Sequence, residues 1–221
     1  MQLNKTHLTL ALTLGATAAH ANLLVNPSFE AVDASASPFF IRSFASTPGW
    51  TQFGDGVDLQ HNSYTQPPPI PVLLDASDGV QFLDMNQANV LGGVEQIVSS
   101  LIGTTYRLDL DTAAWAQNSI GGTLGYQLYD PTSSVILAQG SFTDNVGGTW
   151  VGRSLVAVAT GPQIGVRIQG LVATQAGMGL DNVRLNAVPS SAAPEPATIT
   201  LLALGGALAL ARRKRQLTGG K

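Results

Sequence analysis

Short segments of alternating apolar and polar residues fill the middle of the chain. An alternation with period two is typical of a strand that has one dry face and one wet face. It is clearest over residues 106–111, 124–128 and 164–169, where Arg167 and Gln169 fall on the wet face. Further strands are predicted over Leu23–Val25, Phe39–Phe44, Trp50–Phe53, Gln81–Asp84, Gly93–Val98, Val135–Phe142, Trp150–Ala159 and Gly179–Asn186.

Turn signals separate these segments at close intervals. They are Pro48-Gly49, Asp78-Gly79, Asp130-Pro131 and Gly147-Gly148. Many short amphipathic strands joined by close turns predict an all-β fold, an antiparallel β-sandwich or jelly roll. We expect one such domain over residues 22–188, with a small-residue linker at 189–193.

The N-terminal residues follow a different pattern. Lys5 precedes the apolar stretch Leu8–Ala18, and Ala19-His20-Ala21 forms an A-x-A sequence. Together these features predict a secretory signal peptide and a helix over residues 1–21, removed so that the mature chain begins at Asn22. A retained N-terminal anchor is the alternative, and the small residues before Asn22 argue against it. Signal peptidase and the Sec export machinery are the partners that such a peptide implies.

The C-terminal residues form an uncharged apolar run, Ala197–Ala211, followed by Arg212, Arg213, Lys214 and Arg215. A helix is expected, because backbone groups in lipid must bond to one another. At 1.5 Å per residue the run reaches roughly 22 Å, less than a bilayer core of about 30 Å, and snorkelling side chains can close the gap. The basic cluster keeps residues 216–221 as a cytoplasmic tail, which places the rest of the chain outside.

Pro194, Glu195 and Pro196 stand directly before this run. The triplet, the short hydrophobic helix and the basic end resemble the PEP-CTERM sorting domain over residues 194–215. That resemblance implies recognition by an exosortase, a membrane-embedded cysteine transpeptidase of Gram-negative bacteria, which removes the helix. An inner-membrane intermediate then reaches the cell surface or extracellular matrix, where such proteins are linked to exopolysaccharide and biofilm. An ordinary C-terminal membrane anchor is the alternative.

Charge and missing residue types exclude several function classes. The segment from Asn22 to Pro196 contains all fourteen acidic residues but only five of the eleven lysines and arginines. Its formal charge is therefore −9. An acidic surface repels phosphate backbones, so we expect no nucleic-acid partner. The absence of cysteine excludes disulfides and thiolate nucleophiles. His61 is the segment's one histidine and no G-x-S-x-G elbow is present, which argues against a Ser-His-Asp site, and we expect a noncatalytic protein rather than an enzyme.

A second resemblance covers the alternating segments. Asn22–Glu30, Pro48–Trp50, Asp78–Asp84 and Leu180–Leu185 are similar to sequences of galactose-binding-like jelly rolls, a group that includes several carbohydrate-binding modules. Pro27 departs from the glycine usual there, and it restricts the backbone of the first turn. The resemblance implies two sheets packed face to face, with the first and last strands as neighbours.

This resemblance also implies a structural calcium ion held by Glu30 and Asp181. Calcium takes six to eight oxygen ligands, which two carboxylates, backbone carbonyls and water could supply. The alternative is that both side chains bond to loop backbone, as aspartate readily does in turns. No other cofactor is predicted.

A sugar site needs exposed aromatic faces with amide or carboxylate groups beside them. The candidates are Trp50, Trp115, Tyr64, Tyr126 and Trp150. We expect most of these rings to pack in the core, and Trp115, beside Gln117 and Asn118, and Tyr64, in a loop, to be the ones that are exposed and bind carbohydrate.

Three functions remain open on the sequence. The first is a noncatalytic, surface-sorted sandwich that binds or is embedded in extracellular polysaccharide. The second is a structural matrix protein without a defined ligand. The third is a glycan hydrolase using Asp109 and Asp111, which lie two apart on one strand face. For that pair the alternative is a solvated strand face with Arg107 as the partner.

Overall fold

A computed structural model of the chain describes residues 21–35, 41–42, 48–62, 71–87 and 90–189. Its strands are β1 (Ile41–Arg42), β2 (Thr51–Gly54), β3 (Asp58–His61), β4 (Gln81–Asp84), β5 (Asn86–Gln87), β6 (Val90–Ser99), β7 (Thr105–Ala113), β8 (Thr123–Asp130), β9 (Val135–Thr143), β10 (Val151–Val158), β11 (Gln163–Val172) and β12 (Gly179–Ala187). A short 3-10 helix lies at Gln117–Ser119.

The strands form two antiparallel sheets. Sheet A has the order β1-β3-β4-β12-β7-β10, and sheet B has the order β2-β6-β11-β8-β9, with β5 paired to β6. The predicted all-β sandwich is therefore confirmed. Within the described ranges no helix is long and apolar enough to cross a membrane. Both predicted terminal helices and the sorting residues fall outside those ranges.

The period-two pattern places one apolar face of each sheet in a shared core. Leu108 and Leu110 of β7 lie in it, opposite Leu124 and Leu128 of β8 and Ile168 of β11. Each buried side chain of this size stabilises the fold by about 1.5–3 kcal/mol relative to an exposed one. The outer face of each sheet is left for polar residues.

The first described residues lie against the last strand, as expected. Leu23 donates its backbone N–H to the carbonyl of Leu185 at 3.0 Å. The Asn22 side chain donates to the carbonyl of Val183 at 3.0 Å and accepts the N–H of Leu185 at 2.9 Å. The Asn22 side chain thus bonds to backbone groups of β12 that would otherwise pair with a neighbouring strand. The predicted strand Leu23–Val25 is not formed.

Strands β3 and β5 were not predicted. All four residues of β3 are buried, so the strand shows no alternation. A second apolar cluster covers the outer face of sheet A at this point. It comprises Phe82, Trp115, Ala116 and Ala176, with the half-buried residues Val72, Leu74, Ala76 and Trp150 packed against it.

The predicted turns are confirmed. Gly49, Gly79, Gly147 and Gly148 all take positive φ angles. At the turn after β8, Asp130 Oδ1 accepts the backbone N–H of Thr132 at 2.8 Å, the geometry of an Asx turn.

Two buried carboxylates in sheet A have perturbed acidity. Asp84 lies opposite Asp58 across β4 and β3, and each is 4 % exposed. Burial, and then the neighbouring Asp58 carboxylate, raise the pKa of Asp84 well above its usual range. Burial likewise raises the pKa of Asp181 to about 7, against the opposing effect of three backbone N–H donors.

We expect the free energy of unfolding to fall as pH rises from about 4 to about 7. Over that range Asp84 and Asp181 keep protons in the folded state that they lose in the unfolded chain. Denaturant unfolding measured across this range checks the slope. Asp84→Asn should flatten it, because the amide does not titrate. A stability that stays constant or rises towards pH 7 would contradict this account.

Candidate functional site

The outer face of sheet B carries rows of polar side chains and glycines. Arg167 lies opposite Glu95 on one neighbouring strand and opposite Gln127 on the other. The Gln127 row continues to Gln139 of β9. The next row on the same face runs through Gly93, Gln169, Gly125 and Ser141. The alternation that sends apolar residues into the core thus collects these groups on one surface.

Two adjoining clefts cross this face. One, of about 360 Å³, is lined by Gly125, Tyr126, Gln127, Gln139, Gly140, Ser141, Arg167, Gln169 and Leu171. The other, of about 250 Å³, is lined by Phe53, Gly54, Leu91, Gly92, Gln169, Gly170 and Leu171. Because they share Gln169 and Leu171, we describe them together as the sheet B groove. At about 4.8 Å between strands, the groove extends roughly 19 Å from β2 to β9.

Two glycines let aromatic rings approach the backbone of this face. Phe53 lies opposite Gly93, where an added Cβ would stand 2.2 Å from the ring atom Cζ. Tyr129 lies opposite Gly165, where an added Cβ would stand 2.2 Å from the ring atom Cε1. Both rings therefore occupy space that any other residue would fill, an arrangement known from glycine–aromatic pairs in sheets.

The two rings flank Arg167. Its guanidinium carbon is 4.9 Å from the centre of the Tyr129 ring and 5.2 Å from that of Phe53. Nε and Nη2 of Arg167 donate to Glu95 Oε2 at 3.0 and 2.7 Å. The Tyr129 hydroxyl donates to the same oxygen at 3.1 Å. Burial, and then Glu95, raise the pKa of Tyr129, which keeps this hydroxyl a neutral donor.

Uncharged hydrogen-bonding groups make up most of the remaining polar lining. Gln127, Gln139 and Gln169 offer both donors and acceptors, and Ser141 adds a hydroxyl. Among the described residues these side chains form no hydrogen bond. Leu171, 42 % exposed, and the half-buried Phe53 supply apolar surface beside them. The groove can therefore contact a ligand that presents both hydroxyl groups and C–H faces.

Trp115 is not part of this surface. It is 1 % exposed, so the expected exposure is wrong. Its ring packs edge-on against Phe82, with centroids 5.4 Å apart, and Val72 packs against the same cluster. The backbone N–H of Leu73 donates to the Trp115 carbonyl at 2.8 Å. Tyr64 lies outside the described residues, and its role stays a prediction. Trp50 and Tyr126 are buried in the main core as expected, while Trp150 is half-buried in the second cluster.

Glu30 and Asp181 both bond to the loop that precedes β4. Glu30 Oε1 accepts the backbone N–H groups of Val80 and Gln81, each at 2.8 Å. Asp181 Oδ2 accepts those of Ser77 and Asp78, each at 2.8 Å. The described residues contain no group of three or more acidic or histidine side chains that could hold a metal. The arrangement fits the loop-anchoring alternative, and calcium binding at these residues stays a prediction.

Asp109 and Asp111 are engaged on the outer face of sheet A. Arg107 Nε lies 2.8 Å from Asp109 Oδ1. Asp111 Oδ2 accepts the Ser77 hydroxyl at 2.5 Å and the Asn182 amide at 3.0 Å. These contacts agree with a solvated, hydrogen-bonded strand face with Arg107 as the partner.

Sequence reasoning placed Arg167 and Gln169 on a wet face but missed the groove. Phe53 and Tyr129 can pack on this face only because glycines lie opposite them on neighbouring strands. That register is set by long-range pairing, which a single strand's pattern does not reveal. The available signal was the spacing of glycines within β6, β8 and β11.

Comparison with known proteins identifies the C-terminal signal and the fold. Residues 192–216 match the PEP-CTERM protein-sorting motif, so the chain carries that motif. No significant match was found among curated proteins. TmCBM61, solved in complex with β-1,4-galactotriose, is 14 % identical, with 76 % of this chain and 99 % of that chain covered and a TM-score of 0.53.

Two further solved structures have lower scores. One is a family 16 carbohydrate-binding module, 17 % identical, with 74 % and 99 % of the two chains covered and a TM-score of 0.47. The other is the CBM22-1 xylan-binding domain of Paenibacillus barcinonensis Xyn10C, 16 % identical, with 66 % and 90 % covered and a TM-score of 0.45. The likeness to TmCBM61 shows a shared β-sandwich fold.

We expect Gly165→Ala to displace the Tyr129 ring and to lower the free energy of unfolding by about 1–3 kcal/mol, the usual cost of overpacking. The matched control is Gly152→Ala in β10, where the nearest atom to an added Cβ is 3.6 Å away. Denaturant unfolding of both variants checks the difference. Equal stability of the two variants would show that the Tyr129 ring does not depend on this glycine.

Proposed function

We propose that the chain is an exported, surface-sorted and noncatalytic protein whose β-sandwich binds polysaccharide in the sheet B groove. The observation that carries this proposal is the groove itself, an open surface that combines amide side chains with apolar contacts. Sugar rings present C–H faces that pack on Phe53 and Leu171, and hydroxyls that pair with Gln127, Gln139 and Gln169. Carbohydrate binding by proteins of the same fold supports this assignment.

The shape of the groove favours a chain over a single sugar. It runs across all five strands from β2 to β9, and β9 is the last strand of sheet B. An internal segment of a polysaccharide can lie along such a groove and continue past the sheet edge. Exopolysaccharide of the cell surface or biofilm matrix is the ligand we propose, since the sorting motif implies export, a membrane-anchored intermediate and then the surface.

The lining of the groove favours binding over catalysis. Glycoside hydrolysis normally uses two carboxyl groups flanking the scissile bond. Among the described residues that line the two clefts there is no aspartate or glutamate. The nearest carboxylate in register, Glu95, is held by Arg167 and Tyr129.

Removing two groove amides should weaken retention by polysaccharide. We expect Gln127→Ala combined with Gln169→Ala to lose about tenfold in affinity, because each lost hydrogen bond contributes about 0.5–1.5 kcal/mol. Full-length protein in mild detergent, run on affinity gels containing β-1,4-galactan, xylan or a soluble cellulose derivative, gives the measurement.

The matched control removes two exposed amides elsewhere, Gln117→Ala and Gln163→Ala. Retention equal to the unchanged protein is expected for this control. Equal loss in both double variants would place the site outside the groove. If the unchanged protein is retained by no polysaccharide, carbohydrate binding is wrong and a matrix protein without a defined ligand is the better account.

Processing by an exosortase, the proposed partner, predicts a shortened mature protein. We expect intact-mass spectrometry of protein from the cell surface to show an N terminus at Asn22 and loss of the residues beyond Pro194–Pro196. Protein from a host lacking exosortase is the control and should keep its tail. A surface form that retains residues 197–221 in both hosts would support the plain anchor instead.

A further inference from the structure

Arg167, which lines the sheet B groove, is paired with Glu95 on the neighbouring strand. Resting on the proposed function, we propose that Glu95 makes the groove selective for uncharged polysaccharides, because it cancels the charge of Arg167. This assigns a specificity role to a residue that the groove's own lining does not include. Without Glu95, Arg167 would offer a cation to the carboxylate, sulfate or phosphate groups of an acidic polysaccharide.

The geometry of the pair supports cancellation. Two of the three guanidinium nitrogens of Arg167, Nε and Nη2, donate to the same oxygen of Glu95, at 3.0 and 2.7 Å. Hydrogen bonds between two ionised groups are roughly twice as strong as those between neutral ones. The Tyr129 hydroxyl bonds to that oxygen as well, and the Phe53 and Tyr129 rings flank the guanidinium. Arg167 is therefore oriented towards Glu95.

Arg167 nevertheless remains within reach of a ligand. Its side chain is 38 % exposed and lines the larger cleft. Among the described residues of both clefts it is the one cation, and every other lining group is uncharged. The preference of the groove for neutral or acidic sugars therefore depends on whether this single charge is compensated.

The net negative charge of the domain also disfavours acidic polysaccharides. The segment between Asn22 and Pro196 has a formal charge of −9, so an acidic polymer is repelled as it approaches. This repulsion is screened beyond about 8 Å at physiological ionic strength, whereas the contact between Arg167 and Glu95 is screened much less. Long-range repulsion alone would thus not exclude acidic sugars. Exclusion also requires Glu95 to neutralise the charge of Arg167 within the groove.

The test is a gain of function. Glu95→Gln keeps the size of the side chain and an oxygen that can accept from Arg167 and Tyr129, but it leaves the Arg167 charge uncompensated. On polygalacturonate affinity gels we expect full-length Glu95→Gln in mild detergent to be retained about three- to fivefold more strongly than the unchanged protein, the upper end of what an exposed ion pair contributes. High salt should abolish this gain, and affinity for neutral β-1,4-galactan, xylan or cellulose derivative should change by less than about twofold.

Two variants control for other causes. Asp109→Asn makes the same charge change in an arginine pair on the opposite sheet, and it should gain nothing. Glu95→Gln combined with Arg167→Gln should lose the gain. Thermal melting should show that all variants remain folded.

The outcomes separate the two proposals. If the unchanged protein binds a neutral polysaccharide but Glu95→Gln gains no polygalacturonate binding, the role of Glu95 is wrong and the proposed function stands. An equal gain in Asp109→Asn, or strong polygalacturonate binding by the unchanged protein, also overturns it. If neither the unchanged protein nor Glu95→Gln is retained by any neutral or acidic polymer, the proposed function fails, and this inference fails with it.

Discussion

Burial of one apolar face of each sheet against the other is the constraint on which the structure depends. Because side chains alternate along a strand, packing Leu108, Leu124 and Ile168 into one core forces their neighbours outward on both sheets. The outer faces then differ in use. Sheet A is covered around β3 and β4 by a second apolar cluster, while sheet B is left with glycines, amides and one ion pair. The surface available to a ligand is thus a consequence of how the core is formed.

The groove also depends on two positions that have no side chain, Gly93 and Gly165. Gly93 and Gly165 create space into which Phe53 and Tyr129 pack, and those rings in turn flank Arg167. A planar ring over a glycine loses little conformational freedom on packing, since only two torsions are fixed. The guanidinium of Arg167 is therefore oriented by backbone geometry and ring packing together.

The sequence predicted the layers better than the site. Alternation located β7, β8 and β11 because each has one wet face, and the turn signals separated them correctly. It missed β3, whose residues are buried on both faces by a cluster assembled from distant loops. The prediction for Trp115 was wrong for the same reason: its polar neighbours suggested exposure, yet its ring is buried in a cluster with Phe82 and Val72. The local sequence pattern shows whether apolar and polar residues alternate along a strand. The exposure of a side chain also depends on which distant segments pack over it.

The positions of the chain ends relate the sorting motif to the groove. The last described strand, β12, lies inside sheet A between β4 and β7, and the segment at Asn22 bonds to it. The groove lies on the outer face of sheet B, the other layer of the sandwich. The chain that follows Ala187 therefore leaves the domain from sheet A, whereas the groove lies on sheet B. The groove proposed to bind polysaccharide thus lies on the other layer from the point where the chain continues towards its sorting motif, so the proposed surface attachment and the proposed polymer binding do not compete for the same face.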